Sequence, residues 1–317
     1  MLPYFPFDQK FNDKIGTAIL TQDDPLIEVD DHYQTEVALK RALLIQEPDY
    51  YFQAFLGHEM AQWEVVELIL ADLARQYPDR FLLQRAGDAW TWENRLLGER
   101  ISFQFGDAST LPQAPLDWTG RQVQEDLLVL AGDGPALVAG QLCFGNVWSL
   151  EEKMGLPFWE IHAPITPIVE PMMRAAQQVM NRLPAGKPVW RLNWSIKASD
   201  QLDMTTRRVP DLNRELAELL PALTPDNAGE HLYVRIERQT LTRLPRSGAV
   251  LFGLHTYQNR LDRELTERPD AAERSPAERL LNVLTTTPPA MLDYKGIAPF
   301  LGPLLGHLEQ KAASEVV

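Results

Sequence analysis

The run Arg235-Ile236-Glu237-Arg238-Gln239-Thr240, followed by Arg243 and Arg246, is the densest group of ionisable side chains in the sequence. Read as a strand, it alternates. Arg235, Glu237 and Gln239 share one face, while Arg238 lies on the other with Val234 and Ile236. An arginine among apolar neighbours needs an anion, either a protein carboxylate or the carboxylate or phosphate of a ligand. Two readings follow: a Glu–Arg network across neighbouring strands, or a site that holds an anionic group. A second candidate is His162 in Glu160-Ile161-His162-Ala163-Pro164-Ile165, where Pro164 restrains the backbone that aims the imidazole. That ring is either a structural hydrogen-bonding group or a lone metal ligand. The histidines at 32, 58, 162, 231, 255 and 307 include no i, i+4 pair, so no helix face offers two imidazoles to one metal. A haem iron needs only one strong protein ligand.

Other chemistries lack their residues. No phosphate loop, dinucleotide fingerprint or His-Glu-x-x-His motif occurs, and Ser247-Gly248 reads as a turn rather than a nucleophile elbow. The one cysteine, Cys143, lies in an apolar run and reads as a small buried hydrophobe. Its solitude excludes an internal disulfide, a thiolate zinc cage and a cysteine-bound iron–sulfur cluster. The 317 residues are 45% hydrophobic and 23% charged, a globular composition. With 44 acidic against 30 basic side chains the net charge is −14, which argues against binding a nucleic-acid backbone. No run reaches the roughly 18 apolar residues of a membrane span. The leader Met1-Leu2-Pro3-Tyr4-Phe5-Pro6-Phe7 lacks the basic and apolar regions of a signal peptide, so a cytoplasmic location is expected.

These side chains need a scaffold. The spacing predicts a helix from Asp30 or Asp31 to Gln46 and another over 51–76, ended by Pro78, whereas 80–116 shows little periodicity and reads as irregular. Two short apolar runs, 126–130 and 136–144, flank Asp133-Gly134 as a hairpin. Ser149-Leu150-Glu151-Glu152 resembles a capping box, and 168–183 reads as an amphipathic helix. Strands are expected over 188–196, 231–239 and 249–257, then proline-interrupted helix from Ser275. The fold class is α+β. A five- or six-stranded antiparallel sheet, with inserted helices packed on one face over a pocket, is flanked by helical N- and C-terminal segments. The expected division is a helical region 1–123, a sheet core 124–262 and a helical region 263–317, packed as one unit.

Five strings occur in order: Gln124-Glu125-Asp126-Leu127, Trp148-Ser149-Leu150-Glu151-Glu152-Lys153-Met154-Gly155, Ile161-His162-Ala163-Pro164, Trp190-Arg191-Leu192-Asn193-Trp194 and Arg235 to Pro245. With them the sequence resembles the haem-dependent oxidative N-demethylase α-subunit family, related to dimethylamine monooxygenase components. The likeness runs from Ile27-Glu28-Val29-Asp30 to the last strand. It implies a PAS-like sheet that binds haem b between sheet and helices. It also implies monooxygenase-type removal of a methyl group from a small secondary amine such as dimethylamine, using O₂ and releasing formaldehyde. Electrons would come from NADPH through flavin and iron–sulfur groups on a separate reductase, and the −14 charge suits docking to a basic patch on that partner.

By the same resemblance, His162 is the expected axial iron ligand and Arg191 and Arg238 the expected propionate anchors. Glu237 is the expected catalytic residue, drawing in a cationic amine or else neutralising Arg235. Two departures fall around the expected haem pocket. Ile165-Thr166-Pro167 stands where the family often has Val-Pro-Gly, and Phe144-Gly145-Asn146-Val147 where it usually has a proline-serine pair. Both bear on the substrate and the ligand set. The other functional classes are a haem-PAS sensor or gas-binding protein without turnover, disfavoured by the lack of coiled-coil heptads, and a degenerate member that binds no haem.

Overall fold

Alternation in the middle of the chain sorts its side chains to two faces of a sheet, and the two faces have different tasks. The computed structural model describes residues 1–12, 16–132, 134–161, 166–266 and 274–314. Its strands are β1 (Ala18–Ile19), β2 (Phe52–Ala54), β3 (Phe81–Ala86), β4 (Ala89–Asn94), β5 (Glu99–Gln104), β6 (Asp126–Ala131), β7 (Ala136–Gln141), β8 (Val189–Lys197), β9 (Tyr233–Arg243) and β10 (Val250–Arg260). Seven of them form an antiparallel sheet in the order β1-β8-β9-β10-β6-β7-β2, and β3-β4-β5 form a separate meander. The longer helices are α1 (Tyr33–Gln46), α2 (Glu59–Gln76), α3 (Thr166–Arg182), α4 (Val209–Leu219), α5 (Pro276–Thr286) and α6 (Leu301–Ser314). None of the described helices is long and apolar enough to cross a membrane.

Helices cover both faces of the sheet rather than one, because both faces carry apolar stretches. On the back face Ile196, Val234 and Ile236 are fully buried under Phe7, α5 and α6. Leu127, Val129 and Leu251 on the same face meet α2 and the meander. Each such side chain contributes about 1.5–3 kcal/mol by leaving water. The front face is roofed by the segment around Leu150 and by α3, whose Met180 packs on Leu130, Leu241 and Val250.

Four sequence expectations are corrected. The sheet has seven strands, since Ala18–Ile19 and Phe52–Ala54 add short edges. The segment 51–76 is not one helix: Phe52–Ala54 pairs with β7, and Gly57, at φ +87°, turns the chain into α2. The stretch 80–116 is ordered, with Trp90, Trp92 and Asn94 alternating inward on β4 between turns at Gly87 and Gly98. Ser149 makes no capping bond; the box forms at Ser275, whose hydroxyl accepts from Glu278 N at 3.3 Å. Of the hairpin signal, Asp133 lies outside the described residues.

A chain of buried charge fastens the N-terminal arm to the back face. Arg238 is 2% exposed, pairs with Glu28 at 3.0 Å and donates to the carbonyls of Pro25 and Leu26. Glu28 also accepts from the hydroxyls of Tyr4 and Tyr257. Beside it, His255 stacks on Tyr257 and lies 3.0 Å from Glu125 and 3.8 Å from Asp30. Burial favours a neutral His255 ring, but Glu125 and Asp30 override it and raise its pKa to about 10. Desolvation likewise would raise Asp30, and the facing imidazolium and the Gln124 amide bring it down to about 2.

Because the folded-state pKa of His255 lies above its ordinary 6.5, its contribution is complete below about pH 6.5 and is lost as pH rises through about 10. His255→Gln should cost about 3–5 kcal/mol at pH 6. In urea titrations the gap to the natural chain should narrow between pH 6.5 and 10, and a constant gap would mean that the ring is neutral.

Candidate functional site

Glu237 sits at the centre of the front face, 7% exposed, opposite Asn193 of β8 and Thr256 of β10. Its Oε1 accepts from Asn146 at 3.3 Å, and its Oε2 from Asn193 at 3.2 Å and Gln239 at 2.9 Å. Gln239 in turn accepts from Arg191 Nη1 at 3.1 Å. Register explains the grouping: Arg191, Asn193 and Lys197 on β8 alternate onto the face that carries Arg235, Glu237 and Gln239 on β9. Further along the same face the side chains become apolar, with Leu128, Leu241, Phe252 and Leu254 beneath Leu150, Trp148 and α3. The face is therefore half cationic and half apolar.

Arg235 is fully buried and uses carbonyl oxygens as its anions. It donates to Phe144 O at 2.6 Å, Leu202 O at 3.1 Å and Gln258 Oε1 at 3.2 Å, so the loops at 144–149 and 199–205 are tied to β9. The first of these loops delivers Asn146. Val147 holds φ +64°, a conformation costly for a β-branched residue. It is kept there by Val147 N donating to Met204 O at 2.8 Å. Gly145 is required beside it, since a Cβ there would stand 2.6 Å from Trp148 O. The unusual residues at 144–147 thus build the support for one amide on Glu237.

Lys295 arrives from the turn after Pro289–Tyr294, donates to Trp194 O at 2.6 Å and Asn193 Oδ1 at 3.4 Å, and lies 4.3 Å from the Trp194 ring centroid. Burial lowers its pKa to about 7 and that of Lys197 to about 8, with Glu237 opposing both. Burial also lowers Arg191, again against Glu237.

Of the residues singled out in the sequence, Glu237 and Arg191 are brought together. Arg238 is on the opposite face with its guanidinium committed to Glu28 and two carbonyls, which is the Glu–Arg network that sequence alone leaves open. His162 lies outside the described residues. His255 is in the back-face network, His307 bonds the Pro225 carbonyl at 2.7 Å, and His58 and His231 sit at helix ends. Cys143 is buried, its backbone N–H donates to Asp126, and burial pushes its thiol up. Asn146 and Asn193 lie in the quoted strings without an assigned role, and Lys197 and Lys295 lie in none of them. Asn193 and Lys197 follow from continuing the two-residue alternation of β8; Lys295 carries no local signal.

A family model described as haem-dependent oxidative N-demethylase, alpha subunit-like, matches residues 19–305, and the chain belongs to that family. The description points to a haem-dependent oxidoreductase and, as an alpha subunit, to further subunits. The residues present fit a haem: an apolar half-face suits its macrocycle, and a cationic half-face suits its two carboxylates.

Lys295 costs stability. Its folded-state pKa of about 7 lies below the ordinary 10.5, so the burial penalty is full below pH 7 and fades as pH rises toward 10.5. Lys295→Met should make the haem-free chain about 1–2 kcal/mol more stable at pH 6. Denaturant unfolding should show that gain shrinking by pH 10; a pH-independent difference would contradict the assignment.

Proposed function

We propose that the chain, as a member of this family, oxidises a small secondary N-methylamine of the dimethylamine type and releases formaldehyde. Dioxygen is the oxidant, and two electrons come from a separate NADPH-dependent reductase that carries flavin and an iron–sulfur cluster. The observation that carries this reading is Glu237, a buried carboxylate oriented by three neutral amides on a sheet face whose other half is apolar. A dialkylamine at neutral pH is an ammonium with two N–H donors and two methyl groups. Glu237 offers oxygen acceptors for the donors, and Leu254 and Phe252 supply an apolar wall for the methyls.

When bound, haem b supplies the activation of dioxygen for oxidising the N-methyl carbon. In this reading His162 holds the iron, Arg191 faces a haem carboxylate, and the antiparallel sheet with helices over its front is PAS-like. Asn146, Asn193 and Gln239 fix the direction of the Glu237 oxygens, so that the amine is bound in one orientation rather than many. The α3 roof limits water above the sheet.

Expressed with haem supplied, the chain should show a Soret band. After reduction, with O₂ and dimethylamine, it should yield formaldehyde. Glu237→Gln should keep the band and lose about 100-fold in kcat/KM, the size expected when one partner of a desolvated charge pair is removed. Oxygen binding without formaldehyde would assign the chain to the sensor class instead. His162→Ala should remove or shift the Soret band, and an unchanged spectrum would transfer the ligand to another histidine.

A further inference from the structure

Glu237 is held by the nitrogen ends of three amides, so the oxygen end of each amide is turned to something else. Gln239 Oε1 accepts from the Arg191 guanidinium at 3.1 Å, and Asn193 Oδ1 from the Lys295 ammonium at 3.4 Å. Asn146 Oδ1 is buried and accepts no hydrogen bond from any described residue. Two of the three amides thus run from the carboxylate to a cation. The third has the carboxylate at one end and no donor at the other. Reversing the Asn146 amide would not relieve it, because Oδ1 would then meet Glu237 Oε1, two acceptors with no proton between them. The backbone beneath it is fixed. Val147 N donates to Met204 O at 2.8 Å and Met204 N to Gly145 O at 3.2 Å, so residue 146 is clamped from both sides.

The carboxylate itself has little capacity left. Ionised, it offers about four acceptor sites. Oε2 takes two donors, from Asn193 and Gln239, and Oε1 takes one, from Asn146. Room remains on Oε1 for one further N–H, beside the Asn146 amide. A secondary ammonium carries two N–H bonds that diverge from one nitrogen, so its second donor needs another acceptor close to that oxygen. Oδ1 belongs to the amide that already touches it. We infer that Asn146 is a specificity-determining residue, its Oδ1 accepting the second N–H of a secondary ammonium whose first N–H is held by Glu237 Oε1. A tertiary ammonium has one N–H, which satisfies Glu237 and leaves Oδ1 unpaired. A quaternary one satisfies neither. Discrimination of this kind is effective because a buried acceptor left without its donor penalises the ligand that lacks it. The inference rests on the amine seat at Glu237 proposed above and adds the degree of substitution that the seat prefers.

The test titrates dimethylammonium, trimethylammonium and tetramethylammonium chloride calorimetrically, at neutral pH, into the full chain as purified after expression with haem supplied. The natural chain should bind dimethylammonium about tenfold more tightly than trimethylammonium, the worth of one hydrogen bond from a charged donor, and tetramethylammonium more weakly still. Asn146→Leu should erase the preference between the first two. A residue that only positioned Glu237 would weaken both alike and leave their ratio unchanged. Asn146→Asp, which keeps an acceptor at Oδ1, should retain the preference. Equal affinities in the natural chain, or a ratio that survives Asn146→Leu, would overturn the inference. Glu237→Gln separates it from the seat on which it rests, since both amines need that charge and both should lose affinity. If they do not, or if the natural chain binds neither amine, the seat fails and the inference falls with it. If both weaken in Glu237→Gln while the ratio ignores Asn146, the seat stands and the inference alone is overturned.

Discussion

Two arginines three residues apart on one strand, Arg235 and Arg238, are buried almost completely, and each faces the opposite side of the sheet. Taking a guanidinium out of water costs several kcal/mol unless every donor finds an acceptor. The surroundings of β9 follow from that constraint. On the back, Arg238 draws in the N-terminal arm, because Pro25, Leu26 and Glu28 supply its acceptors. On the front, Arg235 draws in two loops through the carbonyls of Phe144 and Leu202. The arm brings Asp30 to His255, and one of the loops brings Asn146 to Glu237. The strand is thus an organising axis from which segments distant in sequence are hung.

The two sides settle their charges differently. On the back the carboxylates Glu28, Asp30 and Glu125 match Arg238 and the His255 imidazolium, and tyrosine hydroxyls take up remaining acceptor capacity. That side is closed and structural. Toward the front, burial displaces the Lys197 and Lys295 ammonium groups far from their ordinary basicity, and Glu237 opposes both shifts. Perturbed groups of this kind point to a working site. The contrast separates what holds this chain together from what it holds.

Where local alternation carried the information, the sequence was readable. The parity of β9 put Glu237 and Arg238 on opposite faces, and the long antiparallel strands and the flanking helices followed from period and punctuation. Reading failed where long-range pairing decides the outcome. Phe52–Ala54 is helical by pattern and becomes a strand because β7 offers an edge. The meander at 81–104 was overlooked although Trp90 and Trp92 alternate between turn glycines. In the candidate site, the face that carries Glu237 is legible from strand alternation, whereas Arg191 enters only through the family resemblance. Strand parity does not say which anion meets Arg238, because that anion, Glu28, lies far away in the sequence. Lys295 has no motif at all, and only the docked C-terminal turn shows where its ammonium lies.

The bond from Lys295 to the Trp194 carbonyl spans 101 residues, and it has a consequence for how the protein is made. Chains emerge from the ribosome N-terminus first, and β8, β9 and β10 are all synthesised before residue 295. A nascent chain can therefore pair its central strands and present Glu237 while Lys295 is still missing. The site reaches its final charge only when the C-terminal turn docks against α3. Completion of the site therefore waits on the synthesis and docking of residue 295, and a chain truncated before Lys295 would display an unfinished site rather than a weakened one.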